Sequence, residues 1–228
     1  MSQHPLTPQQ QQAFAAVQAF LAGDDDCFVL QGSAGTGKST LISTIVAHLK
    51  ELNKEIKLMA PTGRAARVLA RITHHKVFTV HASIYQHADV ESDDDADLQY
   101  QFNLRHDCPE QAVIVVDEAS MLGNDTQVEF PQNAFLAFGS GQTLTDLLQY
   151  AGFLALLESQ VKIIFVGDSS QLPPFGESVS TALSAEMLQQ QFGLVCQSFQ
   201  LTDVVRQAEN SPILKQAQFL RDAIIQQQ

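Results

Sequence analysis

Residues 32 to 39 read Gly-Ser-Ala-Gly-Thr-Gly-Lys-Ser, which satisfies the pattern G-x-x-x-x-G-K-[ST] at every fixed position. Such a loop works only where a buried strand hands over to a helix, so it dictates the local fold. The flanks comply. Cys27 to Leu30 is a short apolar run that reads as a buried strand, and Ser39 to Leu49 reads as the helix that follows. Gly32, Gly35 and Gly37 let the backbone curl into a nest of N–H groups around phosphate oxygens, with Ser33, Ala34 and Thr36 completing the loop. Lys38 then reaches the β- and γ-phosphates, and Ser39 offers a hydroxyl to magnesium. The helix start, which includes Thr40, adds a partial positive charge. The pattern therefore implies a nucleoside triphosphate with Mg2+.

With 228 residues and 45% hydrophobic content, the chain can bury one substantial core, and residues 1–228 are expected to form a single α/β domain. Cys27, Cys108 and Cys196 are scattered and form no C-x-x-C pair, so neither a disulfide framework nor a zinc site is expected. A reducing, cytoplasmic setting fits. The amino terminus lacks a basic start and an apolar signal core, and no stretch reaches the length of a membrane span.

The net charge of −12 argues against a nucleic-acid partner only if charge is spread evenly. It is not. Between Lys50 and Lys76 lie seven basic residues (Lys50, Lys54, Lys57, Arg64, Arg67, Arg71, Lys76) and two acidic ones, a local +5, which leaves −17 for the rest. The acidic runs at Asp24 to Asp26 and Glu91 to Asp97 read as solvated loops.

Thr7-Pro8 marks a helix start, and Phe14, Val17 and Leu21 recur on one face of a helix running to about Gly23. Ile56 to Ala60, Val113 to Val116 and Val161 to Val166 read as buried strands and Arg64 to Ile72 as a helix. The alternation predicts a parallel, doubly wound sheet with ligands at the carboxyl ends of its strands. Residues 86–110, where LQYQFNL alternates like a half-exposed strand, read as a small insertion, and residues 124–146 as a loop insertion. The glutamine runs at 9–12 and 226–228 read as compositional.

The strand Val113 to Val116 delivers Asp117 and Glu118 to the phosphate end of the sheet, Asp117 for magnesium and Glu118 to activate water. The strand Val161 to Val166 similarly ends near Asp168 and Gln171, and Gln171 can report a γ-phosphate. Arg206, in LTDVVRQ, is a candidate cation for charge developing during phosphoryl transfer, with a surface salt bridge as the alternative.

This ordered set resembles the superfamily 1 DNA helicases of the RecD type, specifically their first RecA-like motor domain. LTPQQQQAF is similar to the adenine-reading Q motif, GSAGTGKST to motif I, APTGRAA to motif Ia and TVHASI to motif Ib. VVDEASML is similar to motif II, FVGDSSQLPPFG to motif III and LTDVVRQ to motif IV, so the resemblance spans roughly residues 6 to 207. It implies an ATP-dependent helicase with a RecA-like P-loop NTPase fold, in which Gln10 reads adenine and Lys38, Glu118, Gln171 and Arg206 serve hydrolysis. Thr7 and Gln10 also fit a capping box, and both roles are open for Gln10. The resemblance further lays single-stranded DNA along Pro61, Thr62, Gly63, Thr79 and His81. Arg64, Arg67 and Arg71 fall at helical spacing beside motif Ia, either flanking that track or facing solvent.

The pattern departs from the family at two points. The chain stops soon after motif IV, leaving no counterpart of the second RecA-like domain with motifs V and VI and its arginine. Phe175 stands where a smaller aliphatic residue is expected, either stacking on a base or packing in the core. The expected function is the ATP-binding motor half of a DNA helicase with no membrane partner. The alternative is a nucleotide-gated nucleic-acid-binding module that hydrolyses little as an isolated domain. A small-molecule kinase is disfavoured by Glu118.

Overall fold

A computed structural model describes residues 5–87, 100–124, 136–155, 159–174 and 176–205. The order of elements is α1 (Pro8–Ala22), β1 (Cys27–Gly32), α2 (Lys38–Glu51), β2 (Ile56–Ala60), α3 (Gly63–Thr73), β3 (Val77–Thr79), α4 (Val80–Ile84), β4 (Tyr85–His87) and β5 (Tyr100–Leu104). Then follow β6 (Val113–Val116), β7 (Leu136–Phe138), α5 (Thr143–Tyr150), β8 (Lys162–Gly167), α6 (Ala185–Phe192) and β9 (Cys196–Leu201). Six strands form one parallel sheet in the order β3-β2-β6-β8-β1-β9.

The continuous apolar runs of β1, β6 and β8 are buried because both faces of the sheet are covered. Side chains alternate between two cores. Phe28, Leu30, Val113, Val115, Ile164 and Val166 pack with Phe20 of α1 and Leu41, Ile42 and Ile45 of α2. Val29, Ile114, Val116, Ile163 and Phe165 face the other way, against Leu144, Leu147 and Leu148 of α5 and Leu188 of α6. Among the described residues no helix is long and apolar enough to cross a membrane.

Three expectations are corrected. Cys27 and Cys196 form a disulfide, because parallel pairing of β1 with β9 sets these residues side by side across 169 residues of sequence. Sequence spacing does not carry that register. The acidic run is not merely solvated: Asp26 Oδ2 accepts from Val195 N at 2.7 Å and Asp25 accepts from the Gln197 amide, tying the start of β1 to the start of β9. Lys162 Nζ donates to the Gly23 and Asp25 carbonyls, both at 2.8 Å. The 124–146 segment is not loop throughout, since β7 and the first turn of α5 fall within it, and its residues 125–135 lie outside the described residues.

In a second sheet, β4-β5-β7, the central β5 runs antiparallel to β4 and parallel to β7. Asp146, 2% exposed, anchors it by accepting from Tyr85 Oη at 2.6 Å, Ser140 N at 2.9 Å and Ser140 Oγ at 2.7 Å. Residues 88–99, the middle of the segment read as a small insertion, lie outside the described residues.

Candidate functional site

The loop after β1, the carboxylates after β6 and the end of β8 meet at the carboxyl edge of the main sheet, because β6, β8 and β1 are parallel neighbours. There a cleft of about 820 Å³ is lined by Gln10, Ser33, Ala34, Gly35, Gly37, Lys38, Ser39, Thr40, Asp117 and Glu118, with Pro5 and Val205 at its margins. Its floor is backbone. Gly35 and Gly37 hold φ of 89° and 83°, the left-handed region that side chains avoid. A Cβ at Gly37 would also collide with the Gln10 amide. Gly37 caps α2 without a side-chain hydrogen bond, which leaves first-turn N–H groups of a 14-residue helix directed at the cleft.

Lys38, Thr36 and Gln10 are held around the cleft by hydrogen bonds to backbone carbonyls. Lys38 Nζ lies over the loop, donating to the Gly32 carbonyl at 2.6 Å and the Ser33 carbonyl at 3.2 Å. Thr36 and Gly32 brace the loop from within: buried Thr36 donates its hydroxyl to the Ser33 carbonyl at 2.8 Å. Ser33 Oγ is buried with no hydrogen-bond partner among the described residues, an unmet polar group of the kind a bound ligand satisfies.

Asp117 is 8% exposed, and burial, reinforced by the charge of Glu118, pushes its carboxyl up to about 6. Its Oδ1 accepts the Glu118 N–H at 3.0 Å. Glu118 itself sits at φ 54°, a conformation costing a non-glycine residue about 1–2 kcal/mol. An acidic oxygen pair beside Ser39 is a hard donor set suited to Mg2+, which prefers carboxylates and phosphate oxygens.

Gln10 fills the capping role and lines the cleft. Its Oε1 accepts from Thr7 N at 3.0 Å while Thr7 Oγ1 accepts from Gln10 N at 3.2 Å, a complete capping box. Its Nε2 donates to the Thr36 carbonyl at 3.0 Å, fastening α1 to the loop. The neighbouring glutamines are not merely compositional. Gln9 Oε1 accepts from Thr202 N and Asp203 N, both at 2.9 Å, its Nε2 donates to Thr202 Oγ1 at 2.7 Å, and Gln11 Nε2 donates to the Leu6 carbonyl at 3.0 Å. Val205 N donates to the Gly35 carbonyl at 2.9 Å, so the segment after β9 is stitched to both α1 and the loop. The Gln9 partners and the Val205–Gly35 pair lie more than 160 residues apart, and the only local signal was the capping box.

Gln171 does not line the cleft. It is exposed, and its Oε1 accepts from Ser120 Oγ at 3.4 Å at the back of the Asp117-Glu118 segment. Asp168 is buried and accepts from Ser170 N and Oγ, shaping the turn after β8. Arg206 and Phe175 lie outside the described residues.

Pro61, Thr62 and Gly63 follow β2, and Thr79 ends β3. Register pairs Ala60 with Thr79, so the two segments emerge side by side at the same carboxyl edge. Thr62 caps α3 by accepting from Ala65 N at 3.2 Å, and Thr79 caps α4 by accepting from Ala82 N at 3.1 Å. Arg64, Arg67 and Arg71 are exposed along α3. His81 is half-buried, its ring edge-on to Phe138 at 5.1 Å and tilted against Tyr85, and burial holds its pKa below the ordinary value against the pull of Asp146.

With the geometry in place, comparison with known proteins bears on its lineage. A family profile described as AAA domain matches residues 5–135, more than half of the chain. The chain belongs to the AAA domain family. It is a P-loop ATPase domain related to RecD-family DNA helicases. This AAA domain is 29% identical to the ATP-dependent RecD2 DNA helicase of Deinococcus radiodurans over 83% of the chain and 21% of that protein. It is 26% identical to the RecBCD enzyme subunit RecD of Buchnera aphidicola subsp. Acyrthosiphon pisum over 74% of the chain and 26% of that subunit. The chain thus spans about a fifth to a quarter of the length of these relatives. The crystal structure of Pif1 helicase from Candida albicans superposes with a TM-score of 0.60, covering 96% of this chain and 44% of that one at 19% identity, a likeness of fold.

Proposed function

We propose that the chain is the ATP-hydrolysing motor domain of an ATP-dependent DNA helicase, with Mg-ATP in the carboxyl-edge cleft and single-stranded DNA across the neighbouring ends of β2 and β3. The observation that carries this reading is the convergence of Gln10, the phosphate loop, Ser39, Asp117 and Glu118 on one cleft. In it, the open N–H groups of α2 receive the phosphates, and the Ser33 hydroxyl gains the partner it lacks. Lys38 exchanges the Gly32 and Ser33 carbonyls for phosphate oxygens. Ser39 and Asp117 would hold Mg2+, which would supply charge neutralisation at the phosphates. Glu118 accepts the proton of the attacking water, and Arg206 stabilises charge on the departing phosphates. Gln171, through Ser120, links the motif after β8 to that carboxylate pair. Thr62, Gly63, Arg64, Arg67 and Thr79 contact the strand backbone, with His81 beneath them in its aromatic nest.

The test is steady-state phosphate release with and without single-stranded DNA. Turnover that DNA increases and that Glu118→Gln removes supports the proposal. Nucleotide binding without turnover under both conditions, in the chain and in the complete gene product, favours the nucleotide-gated binding module instead.

A further inference from the structure

The seven cations of the basic segment do not form one patch. Arg64, Arg67 and Arg71 lie on α3, whereas Lys50, Lys54, Lys57 and Lys76 line a separate cleft of about 720 Å³ at the opposite, amino end of β2 and β3. Arg105 joins them there, and Glu55 is the one carboxylate lining this cleft among the described residues. The Arg105 guanidinium is paired with Asp107 at 2.6 Å, but none of the four lysines has a carboxylate within 4 Å among the described residues. Four lysines thus gather around a single carboxylate, Glu55, among the described lining residues, with none of them held in a close ion pair, in a chain of net charge −12.

The same cleft carries two aromatic rings. Lys57 Nζ sits 6.0 Å from the centre of the Tyr150 ring. Phe78 is 57% exposed, although its register partner Met59, one strand inward, is fully buried. Because β3 is the sheet edge, more than half of that side chain is left open among the described residues. Cations beside an open aromatic face are the recognition chemistry of single-stranded nucleic acid, in which phosphates meet the ammonium groups and a base lies on the ring. An acidic peptide would use the charges but leave Phe78 idle. A route to the cleft also exists, since α3 spans 11 residues, roughly 16 Å, from Gly63 at the carboxyl edge to His74, His75 and Lys76 at the rim.

We propose that this amino-edge cleft is a second contact site for single-stranded DNA, engaged by a strand that runs down α3 from the carboxyl edge. The inference rests on the proposed DNA-motor reading. It is tested on the full chain with oligothymidylates of about 5 and about 15 nucleotides, a range bracketing single-domain site sizes. Two variants are compared: Lys57→Gln/Lys76→Gln/Phe78→Ala in the cleft, and Arg64→Gln/Arg67→Gln on α3. The cleft variant should weaken the long oligomer about tenfold or more, lower its salt slope by about 0.7 per lost phosphate contact, and spare the short one. ATP affinity, unchanged, certifies the fold, and Phe78→Tyr should retain long-oligomer binding.

Unchanged long-oligomer affinity and slope in the cleft variant would overturn the site, even if the α3 variant loses DNA and the motor reading stands. Loss in the cleft variant with a silent α3 variant would support the site while removing the carboxyl-edge track. Poly-glutamate that competes as well as the long oligomer, together with a silent Phe78→Ala, would assign the cleft to an acidic protein and overturn the nucleic-acid reading. Absence of any DNA binding by the wild type overturns both.

Discussion

The two edges of the main sheet recognise charge by opposite means. At the carboxyl edge the groups are fixed before any ligand arrives: glycines hold left-handed φ, Lys38 rests on two carbonyls, and Asp117 is braced by a backbone N–H. At the amino edge the four lysines sit on long side chains, Lys50, Lys54 and Lys76 exposed and Lys57 half-buried, without ion-pair partners among the described residues. The first arrangement suits one small ligand whose bonds must be oriented for chemistry. The second suits a polymer that needs only to be held, since lysine is a mobile point charge. Substitutions at the first edge should therefore change rates, and substitutions at the second should change salt dependence.

The largest effect expected is at Glu118. Glu118→Gln should lower hydrolysis by about 10²–10⁴-fold while leaving ATP affinity within about twofold, because it deletes the base but keeps the phosphate contacts. Single-turnover phosphate release alongside equilibrium binding checks this. A variant as active as the wild type would break the claim that this edge does chemistry.

Next in size is the Cys27–Cys196 bridge, which ties the starts of β1 and β9 far from the phosphate loop. Reduction should lower unfolding stability by about 2–4 kcal/mol in a urea titration while sparing nucleotide affinity in the folded protein. Equal midpoints with and without reductant would show that the bridge adds nothing.

A smaller effect distinguishes the buried acid. With Asp117 near 6, Mg2+-dependent nucleotide affinity should be about tenfold weaker near pH 5 than near pH 7, because the metal must displace a proton. The stability of the metal-free protein runs the other way. A carboxyl raised above its ordinary 3.8 binds protons better folded than unfolded, so this contribution is present below about pH 4 and is lost as pH rises to about 6. Metal titrations at the two pH values test the first statement and urea midpoints the second.

Smallest is Gln9→Ala, which removes three hydrogen bonds to Thr202 and Asp203. It should cost about 1–2 kcal/mol in stability. A Gln9→Ala midpoint equal to wild type would mean that the clasp between α1 and the end of β9 is idle.

What could be read ahead of the structure follows the same division. β2 and β6 match their sequence-based bounds residue for residue, because strands buried on both faces read as unbroken apolar runs. The phosphate loop and Asp117-Glu118 were legible because local backbone chemistry dictates their residue types. β3 and β9 were not: β3 has three residues, and β9 alternates partly buried with exposed positions at the sheet edge. The Cys27–Cys196 bridge, the Gln9 clasp and the division of the basic segment into two groups all depend on which strands become neighbours. A charge count along Lys50 to Lys76 records the cations but not that the sheet separates them to opposite ends.

The central claim, that the carboxyl-edge cleft is the nucleotide site, is tested most directly by equilibrium titration of the wild type and Lys38→Ala with ATP and Mg2+ at neutral pH. The account predicts saturable one-to-one binding by the wild type and at least about a tenfold loss in Lys38→Ala. Equal affinity in the two proteins, or no saturable binding by the wild type, would contradict it.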